Sequence, residues 1–279
     1  MNKISYYPQF KGYGIADKEL KKVKGLPLLS IGDDENAVTV GVLMGREPEH
    51  YCLQEDYVEA LRRSGANVVL MDYENHLLQL AMCDALLLPG GSFETPKWYY
   101  ADAKTGVSDH YPCQRAQAYA ECLKYAKKVG MPILGICAGM QIIAAEAGMK
   151  LYPSFDYIET PLKHKSTEAF AHRVQVVSDT PFAELMENLF WLKVNSRHVE
   201  LLAPARVQHE LLGLAPNEAL PLQIYGLAND GVIEALGDMD KGILGVQWHP
   251  ENLAVAGDAL QQKIFDWLVS KASAFKNSK

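Results

Sequence analysis

The sequence predicts an α/β fold with a mostly parallel sheet covered by helices on both faces, plus an added antiparallel portion in the C-terminal half. Between residues 37 and 148, short apolar segments alternate with segments of helical periodicity. This alternation is typical of a parallel sheet whose connecting helices cover both faces. After residue 148, apolar segments follow one another across turn-forming links such as residues 229–231 and 238–242, which indicates antiparallel strands.

The first half of the chain contains continuous apolar runs separated by amphipathic segments. Such runs are typical of strands buried on both faces, and glycines at 65 and 130 are placed to end helices. We predict strands at 38–44, 67–71, 85–88 and 132–136 and helices at 51–64, 74–82, 112–129 and 140–147.

The second half is predicted to continue with short strands and to close with an amphipathic helix that begins near Asp258. The predicted strands are residues 172–177, 192–194, 222–228, 232–236 and 243–248. Residues 1–36 fit neither pattern, so we interpret them as an N-terminal extension. With no linker or repeat after them, residues 37–279 are predicted to be one catalytic domain.

Composition excludes several classes of partner. The 279 residues are 48% hydrophobic and 22% charged with a net charge of −7, and an acidic surface disfavours nucleic acid and anionic membranes. No apolar run approaches the roughly 20 residues that span a bilayer, and the N-terminus lacks a secretory signal, so we expect a cytoplasmic protein. The five cysteines form no Cys-x-x-Cys pair, so we predict no metal site.

One cysteine stands in a distinctive turn. Residues 132–136 read as a buried strand, and Cys137 follows it between Gly135 and Gly139, directly before a helix-compatible segment. Small residues at both glycine positions allow strand and helix to approach closely. A thiol at the first turn of a helix is activated by the free N–H groups there. We therefore interpret Cys137 as a nucleophile, whereas the other four cysteines are predicted to pack.

A nucleophilic cysteine needs a base and a group that orients the base. His249 and Glu251 follow a predicted strand, and alternation along an extended backbone places both side chains on one side. Acyl chemistry also needs N–H donors for an oxyanion, and Gly90, Gly91 and the N–H of Ala138 are the candidates.

Together these segments resemble the class I glutamine amidotransferase superfamily, which implies a flavodoxin-like sheet. The segments are residues 89–91, 135–141 and 245–251, and they occur in the order expected of that superfamily. Residues 194–198, 230–235 and 172–174, with Pro96 and Tyr99, resemble the narrower group of γ-glutamyl-γ-aminobutyrate hydrolase-like peptidases. That resemblance implies hydrolysis of a γ-glutamyl amide through a thioester on Cys137, with no cofactor and no metal.

The resemblance also implies substrate contacts, and it leaves the released amine open. Gln141 is expected near the glutamyl group, whereas Ser196, His198 and Tyr99 are substrate-binding candidates that could equally be structural. Ala138, Phe93 and Glu200 depart from the residues common in the group at positions where substrate is selected.

The expected partner is a small γ-glutamyl compound, and a homodimer is possible. Two other functions remain open from the sequence: a glutaminase subunit that supplies ammonia to a separate synthase, and a non-enzymatic member of the fold.

Overall fold

A computed structural model describes residues 3–7, 12–13, 20–23, 26–47, 50–103, 110–215 and 217–279. Parts of the predicted N-terminal extension therefore lie outside the described residues. Within the described ranges, no helix combines the length and apolar character needed to cross a membrane.

The described residues alternate between strand and helix, as the sequence predicts for residues 37–148. In chain order the strands are β1 (Lys3–Tyr7), β2 (Gly12–Tyr13), β3 (Leu20–Val23), β4 (Leu26–Ile31), β5 (Thr39–Leu43), β6 (Gly45–Glu47), β7 (His50–Gln54), β8 (Asn67–Met71), β9 (Ala85–Leu88), β10 (Ile133–Ile136), β11 (Leu151–Tyr152), β12 (His172–Val176), β13 (Trp191–Val194), β14 (Leu201–Leu202), β15 (Gln223–Ala228), β16 (Ile233–Asp238) and β17 (Ile243–Val246). The α-helices are α1 (Glu55–Arg63), α2 (His76–Leu80), α3 (Gln114–Val129), α4 (Ala138–Glu146), α5 (Pro181–Leu185), α6 (Ala205–Leu212), α7 (Pro250–Val255) and α8 (Ala259–Ser278).

The central sheet confirms the predicted fold class. Five strands pair in parallel in the spatial order β8-β5-β9-β10-β17, which is the flavodoxin-like order 2-1-3-4-5. Beyond β17 the sheet continues antiparallel through β16, β15, β12 and β13. The antiparallel portion therefore lies in the C-terminal half, as predicted.

The strand order decides where the predicted site residues meet. Strands β9, β10 and β17 are adjacent and parallel, so their carboxyl ends lie at one edge of the sheet. Gly90, Cys137 and His249 each follow one of these strands. Ligands of open α/β sheets bind at this edge, and the fold thus brings together segments that are up to 159 positions apart (249 − 90) in the chain.

The first helix begins later than the sequence predicts. Residues 50–54 form β7, which pairs with β6 and β1, and only Glu55 starts the helix. The side chains of β7 alternate between buried and half-buried, with Tyr51 and Leu53 buried. In so short a segment, Tyr51 and Leu53 also fit a helical spacing with Tyr57 and Val58, and pairing with distant strands decides between the two.

The predicted extension contributes strands to the sheets. β4 pairs with β8 at the edge of the central sheet, and β1 pairs with β7 in a separate four-stranded sheet. Strands on either side of residue 36 share one sheet. The domain boundary after that residue stays a prediction.

The turn around Cys137 depends on close backbone packing, as its two glycines predict. A Cβ atom added to Gly139 would lie 2.0 Å from the carbonyl oxygen of Leu88, and one added to Gly135 would lie 2.7 Å from the carbonyl carbon of Gly139. Because no real side chain tolerates such distances, glycines at both positions let α4 press against β9 and β10.

Candidate active site

Cys137 caps the N-terminus of α4 with an unusual backbone. Its φ is +53° and its ψ is −107°, whereas a positive φ is uncommon for a residue with a side chain. The sharp turn places the side chain at the top of the sheet, where it is 8% exposed. The arrangement is the cysteine counterpart of the strand–elbow–helix turn that presents a nucleophilic serine in α/β hydrolases.

His249 and Glu251 form a buried pair beside the cysteine. Nδ1 of His249 lies 2.7 Å from Oε1 of Glu251, and Glu251 is fully buried. His249 and Cys137 meet beside Gly90, where an added Cβ atom would lie 2.6 Å from Cε1 of His249 and 3.1 Å from Cβ of Cys137. Burial lowers the pKa of His249, but the negative charges of Glu251 and Cys137 outweigh burial and raise this pKa to about 10. The site therefore favours the imidazolium form of His249.

The path by which Glu251 reaches His249 differs from the prediction. The sequence predicts an extended backbone through both residues, whereas Pro250 begins α7 and Glu251 lies in its first turn. Proline suits this position because the first helical N–H has no partner inside the helix. The carboxylate–imidazole contact is the expected one, and a helical turn provides it.

Asn195 fixes the backbone of His249. Its Oδ1 accepts from the N–H of His249 at 2.8 Å, and its Nδ2 donates to the carbonyl oxygen of His249 at 2.9 Å. Sequence reasoning missed this role, although Asn195 belongs to the segment 194–198 that carries the narrower resemblance. Because these two hydrogen bonds hold the backbone of His249, they limit how far its imidazole can move from Cys137.

The loop after β9 offers one oxyanion donor rather than two. The N–H of Gly90 donates to the hydroxyl of Tyr57 at 3.0 Å, so Gly90 is unavailable as the predicted donor. Across the described residues, the N–H groups of Gly91 and Ala138 have no hydrogen-bond partner. The hydroxyl of Tyr57 also lies 3.4 Å from Nδ1 of His249, and its place within the predicted helix 51–64 gave no sign of this contact.

Arg115 orients that loop. Its Nη2 donates to the carbonyl oxygen of Gly90 at 2.8 Å. Because the carbonyl of one residue and the N–H of the next point in opposite directions across a peptide, this contact turns the N–H of Gly91 away from Arg115. Nε of Arg115 is buried and has no hydrogen-bond partner among the described residues. No sequence signal singled out this arginine within the predicted helix.

These residues open onto a cleft of about 500 Å³. A cleft of this size suits a small molecule. Its described lining holds the four basic side chains of Arg46, Arg115, Lys165 and Arg197 and the single carboxylate of Glu200. The cleft is therefore basic although the chain has a net charge of −7.

The predicted substrate-binding residues divide into two pairs. Gln141 and His198 line the cleft, whereas its described lining includes neither Tyr99 nor Ser196. The phenol of Tyr99 donates to Glu146, and the hydroxyl of Ser196 donates to the carbonyl oxygen of His164. Both side chains are buried and engaged inside the protein, so the geometry gives no support to a substrate contact for either.

Glu200 is held in place by two neighbouring hydroxyl groups. Thr95 donates to its Oε2 and Tyr100 to its Oε1, each at 2.8 Å. Burial raises the pKa of Glu200, and these two hydrogen bonds partly offset that rise. In the segment after Gly91, it is therefore Tyr100, not Tyr99, whose hydroxyl contacts a residue of the cleft lining.

Sequence and structure comparisons agree with this fold. YvdE of Lactococcus lactis subsp. lactis (strain IL1403), named as glutamine amidotransferase-like, is 28% identical over 71% of this chain and 80% of its own length. Protein NtpR of Enterococcus hirae is 25% identical over 88% of this chain and 99% of its own. The crystal structure of a glutamine amidotransferase from Thermotoga maritima matches with a TM-score of 0.54 and 15% identity, covering 85% of this chain and 98% of that one.

The fold, with these relatives, defines a protein of the class I glutamine amidotransferase superfamily. Within it, the chain belongs to the Peptidase C26 family, whose profile matches residues 27–251. Its relatives support an enzyme of the hydrolase or amidotransferase type.

Proposed function

We propose that this protein hydrolyses the γ-glutamyl amide bond of a small γ-glutamyl compound. The observation that carries the proposal is the arrangement of Cys137, His249 and Glu251, with the N–H groups of Gly91 and Ala138 unpaired beside the thiol. A nucleophile, a base, an orienting carboxylate and oxyanion donors are the parts that acyl transfer requires.

The chemistry would proceed in two steps through a thioester. The thiolate of Cys137 attacks the γ-carbonyl carbon, and the N–H groups of Gly91 and Ala138 stabilise the oxyanion that forms. The tetrahedral intermediate then breaks its C–N bond as the imidazolium of His249 gives a proton to the departing amine. Neutral His249 next takes a proton from water, which attacks the thioester and releases glutamate and the thiolate.

The charges of the cleft support a substrate that carries an α-ammonium and at least one carboxylate. Glu200 is the single carboxylate of the described lining, and it is held by two hydroxyl donors. It is the natural acceptor for the ammonium of a glutamyl group. The substrate carboxylate would approach the basic side chains, among which Arg115 has a buried Nε without a hydrogen-bond partner in the described chain.

This proposal is tested with a panel of γ-glutamyl amines, γ-glutamyl peptides and glutamine, with products measured by mass spectrometry. We expect release of glutamate from at least one γ-glutamyl amide by the protein alone. For that substrate, Glu200→Gln is expected to lower kcat/KM about ten- to a hundredfold, because a charge-assisted hydrogen bond of about 1.5–3 kcal/mol is weakened. Glu94→Gln, an exposed carboxylate outside the described lining, is the matched control.

The same panel separates the two alternative functions. Ammonia release from glutamine that requires an added synthase would support the glutaminase subunit and contradict the proposal. A protein that neither turns over any member of the panel nor labels Cys137 with a γ-glutamyl electrophile would be a non-enzymatic member of the fold.

A further inference from the structure

Three histidines converge on one buried carboxylate beside the cleft. Oε1 of Glu234 lies 3.3 Å from Nδ1 of His164 and 3.1 Å from Nε2 of His172. Nε2 of His198 lies 3.6 Å from the same oxygen and 3.2 Å from Nδ1 of His164. All four residues are buried, and we refer to His164, His172, His198 and Glu234 as the histidine cluster.

The cluster unites residues to which the proposed hydrolysis gives no chemical step. His172, His198 and Glu234 belong to the three segments 172–174, 194–198 and 230–235, on which the narrower resemblance rests. β12 carries the first and β16 the last, and both strands flank β15 in the sheet. The antiparallel portion of the sheet therefore assembles the cluster.

In His164 and His198, one ring nitrogen (the outer one) faces a partner outside the cluster and the other (the inner one) faces Glu234. The outer partner determines whether the inner nitrogen carries a hydrogen. Nε2 of His164 lies 2.8 Å from a carboxylate oxygen of Asp230, and Nδ1 of His198 lies 2.8 Å from the carbonyl oxygen of Glu200. Carboxylates and carbonyls only accept, so these outer nitrogens carry the hydrogens. In neutral rings the inner nitrogens of both histidines are then bare lone pairs, and both face the carboxylate of Glu234. Acceptor atoms that face one another in this way repel unless a cation lies between them.

We propose that the histidine cluster binds a divalent transition-metal ion, for which Zn²⁺ is the best fit. His164, His172 and Glu234 have ligand atoms that all lie within 4.8 Å of one another and form the core of the ligand set. The remaining position is open to Nε2 of His198, which lies 3.6 Å from Oε1 of Glu234. Tetrahedral zinc with bonds of about 2.0–2.1 Å separates its ligands by roughly 3.3–3.4 Å. The separations given above, 3.1 to 3.6 Å, bracket that value.

The surroundings of the cluster match those of metal-binding histidines. A metal-bound histidine usually donates its other N–H to a carboxylate or a backbone carbonyl. Asp230 and the Glu200 carbonyl serve His164 and His198 in this way, whereas Nδ1 of His172 has no hydrogen-bond partner among the described residues. The ring of Phe155 stacks on His164 with centroids 4.5 Å apart and fixes its plane. The ligand set of imidazoles and one carboxylate is one that zinc accepts.

Protonation of His164 is the alternative explanation for acceptor atoms that face one another in this cluster. Burial lowers the pKa of His164, but its hydrogen bonds to Asp230 and Glu234 outweigh burial and raise this pKa to about 9. A proton would nevertheless leave Oε2 of Glu234 buried and without a hydrogen-bond partner among the described residues. A metal ion bound by both oxygens of Glu234 would use that atom as well.

The ion would hold a segment that serves the active site. His198 lies three residues after Asn195, which clamps His249, and its ring donates to the carbonyl of Glu200. The same carbonyl accepts from Nε2 of Gln141 at 2.8 Å. The metal is thus a positioning element for residues 195–200, and it takes no part in the acyl transfer.

The first test measures metal on the wild-type protein after its affinity tag has been removed. Protein purified from zinc-supplemented medium is expected to contain about one zinc per chain by mass spectrometry of the elements. After removal of zinc by a chelator, titration with Co²⁺ should produce the visible absorption bands of a tetrahedral site. A wild-type protein that is purified without metal and binds neither ion in titration would overturn the proposal.

The second test locates the metal. His172→Ala and Glu234→Gln are expected to lose the zinc, whereas Asp230→Asn, which removes the carboxylate behind His164 and leaves every ligand in place, should weaken affinity about 10- to 100-fold. His76→Ala is the matched control, because His76 pairs with Glu121 at 2.7 Å outside the cluster. Circular dichroism checks that each variant folds. Zinc retained with unchanged affinity by folded cluster variants would place it elsewhere and contradict the proposal.

Discussion

Cys137→Ala is expected to lower γ-glutamyl hydrolysis by at least about 10⁴-fold, since loss of the nucleophile leaves only substrate binding and the oxyanion donors. Alanine keeps the Cβ atom, so the backbone turn should be unchanged. The measurement is kcat under saturating substrate, combined with mass spectrometry of the enzyme. The wild-type protein should accumulate a glutamyl adduct at residue 137 when it is quenched during turnover, and the variant should not.

Cys122→Ala is the matched control for this substitution. Cys122 is a fully buried thiol on α3 that lies outside the described cleft lining. Its replacement should reduce stability slightly and leave turnover near the wild-type level. Turnover of the Cys137 variant within about tenfold of wild type would refute the nucleophile assignment, because the proposed acyl transfer depends on the thiolate of Cys137.

Glu251→Gln is expected to lower kcat/KM by about 10³- to 10⁴-fold, as loss of the orienting carboxylate does in other triads. The glutamine can hold the imidazole in the wrong tautomer, and it removes the charge that faces His249 at 2.7 Å. Glu121→Gln is the control, because Glu121 faces His76 at the same distance outside the site. An unchanged kcat/KM in the Glu251 variant would contradict the role of this residue.

The pH dependence of the same variant follows from the pKa of His249. In the wild-type protein, Glu251 and Cys137 overcome burial and raise this pKa from 6.5 to about 10. The stability that this pair contributes is therefore fully present below pH 6.5, and it is lost as the pH rises toward 10. Without the carboxylate, the alkaline limb of kcat/KM should move to lower pH. The difference in unfolding free energy between wild type and variant should also shrink at alkaline pH.

Local patterns were sufficient to predict the core of the site. Cys137 is identified by the glycines on either side of it and by the strand and helix that it joins. His249 and Glu251 are two residues apart, so their contact survives an error in local backbone geometry. The parallel strand order then brings Gly91, Cys137 and His249 to one edge, as the alternation of strands and helices indicates.

Other residues escaped prediction because their partners are distant in the chain. Tyr57 is 33 residues from Gly90, and Arg115 is 25 residues from the same glycine. Each reads locally as one side chain among many on an amphipathic helix. The helix prediction for residues 51–54 was wrong for the same reason. So short a segment fits both the helical and the strand period until its strand partners are known. The possible homodimer stays a prediction.

The histidine cluster shows most clearly that sequence patterns do not reveal a site whose residues are distant in the chain. The sequence predicts no metal site because it lacks closely spaced cysteines, whereas these ligands come from four positions spread over 70 residues (234 − 164). None of the four has another within four residues along the chain, so no short motif exists to be recognised. The pairing of β12, β15 and β16 brings His172 and Glu234 together, and the bridge between Lys165 and Arg197 places His164 beside His198.

The backbone angle at Cys137 has a consequence for how this chain would evolve. A non-glycine residue at such an angle costs about 1–3 kcal/mol, a substantial part of a typical stability of about 5–15 kcal/mol. Glycine at 137 would relieve that cost and abolish the thiol chemistry. Under selection for heat resistance alone, a randomised library should therefore be enriched in glycine at position 137, and only a requirement for turnover would bring the cysteine back.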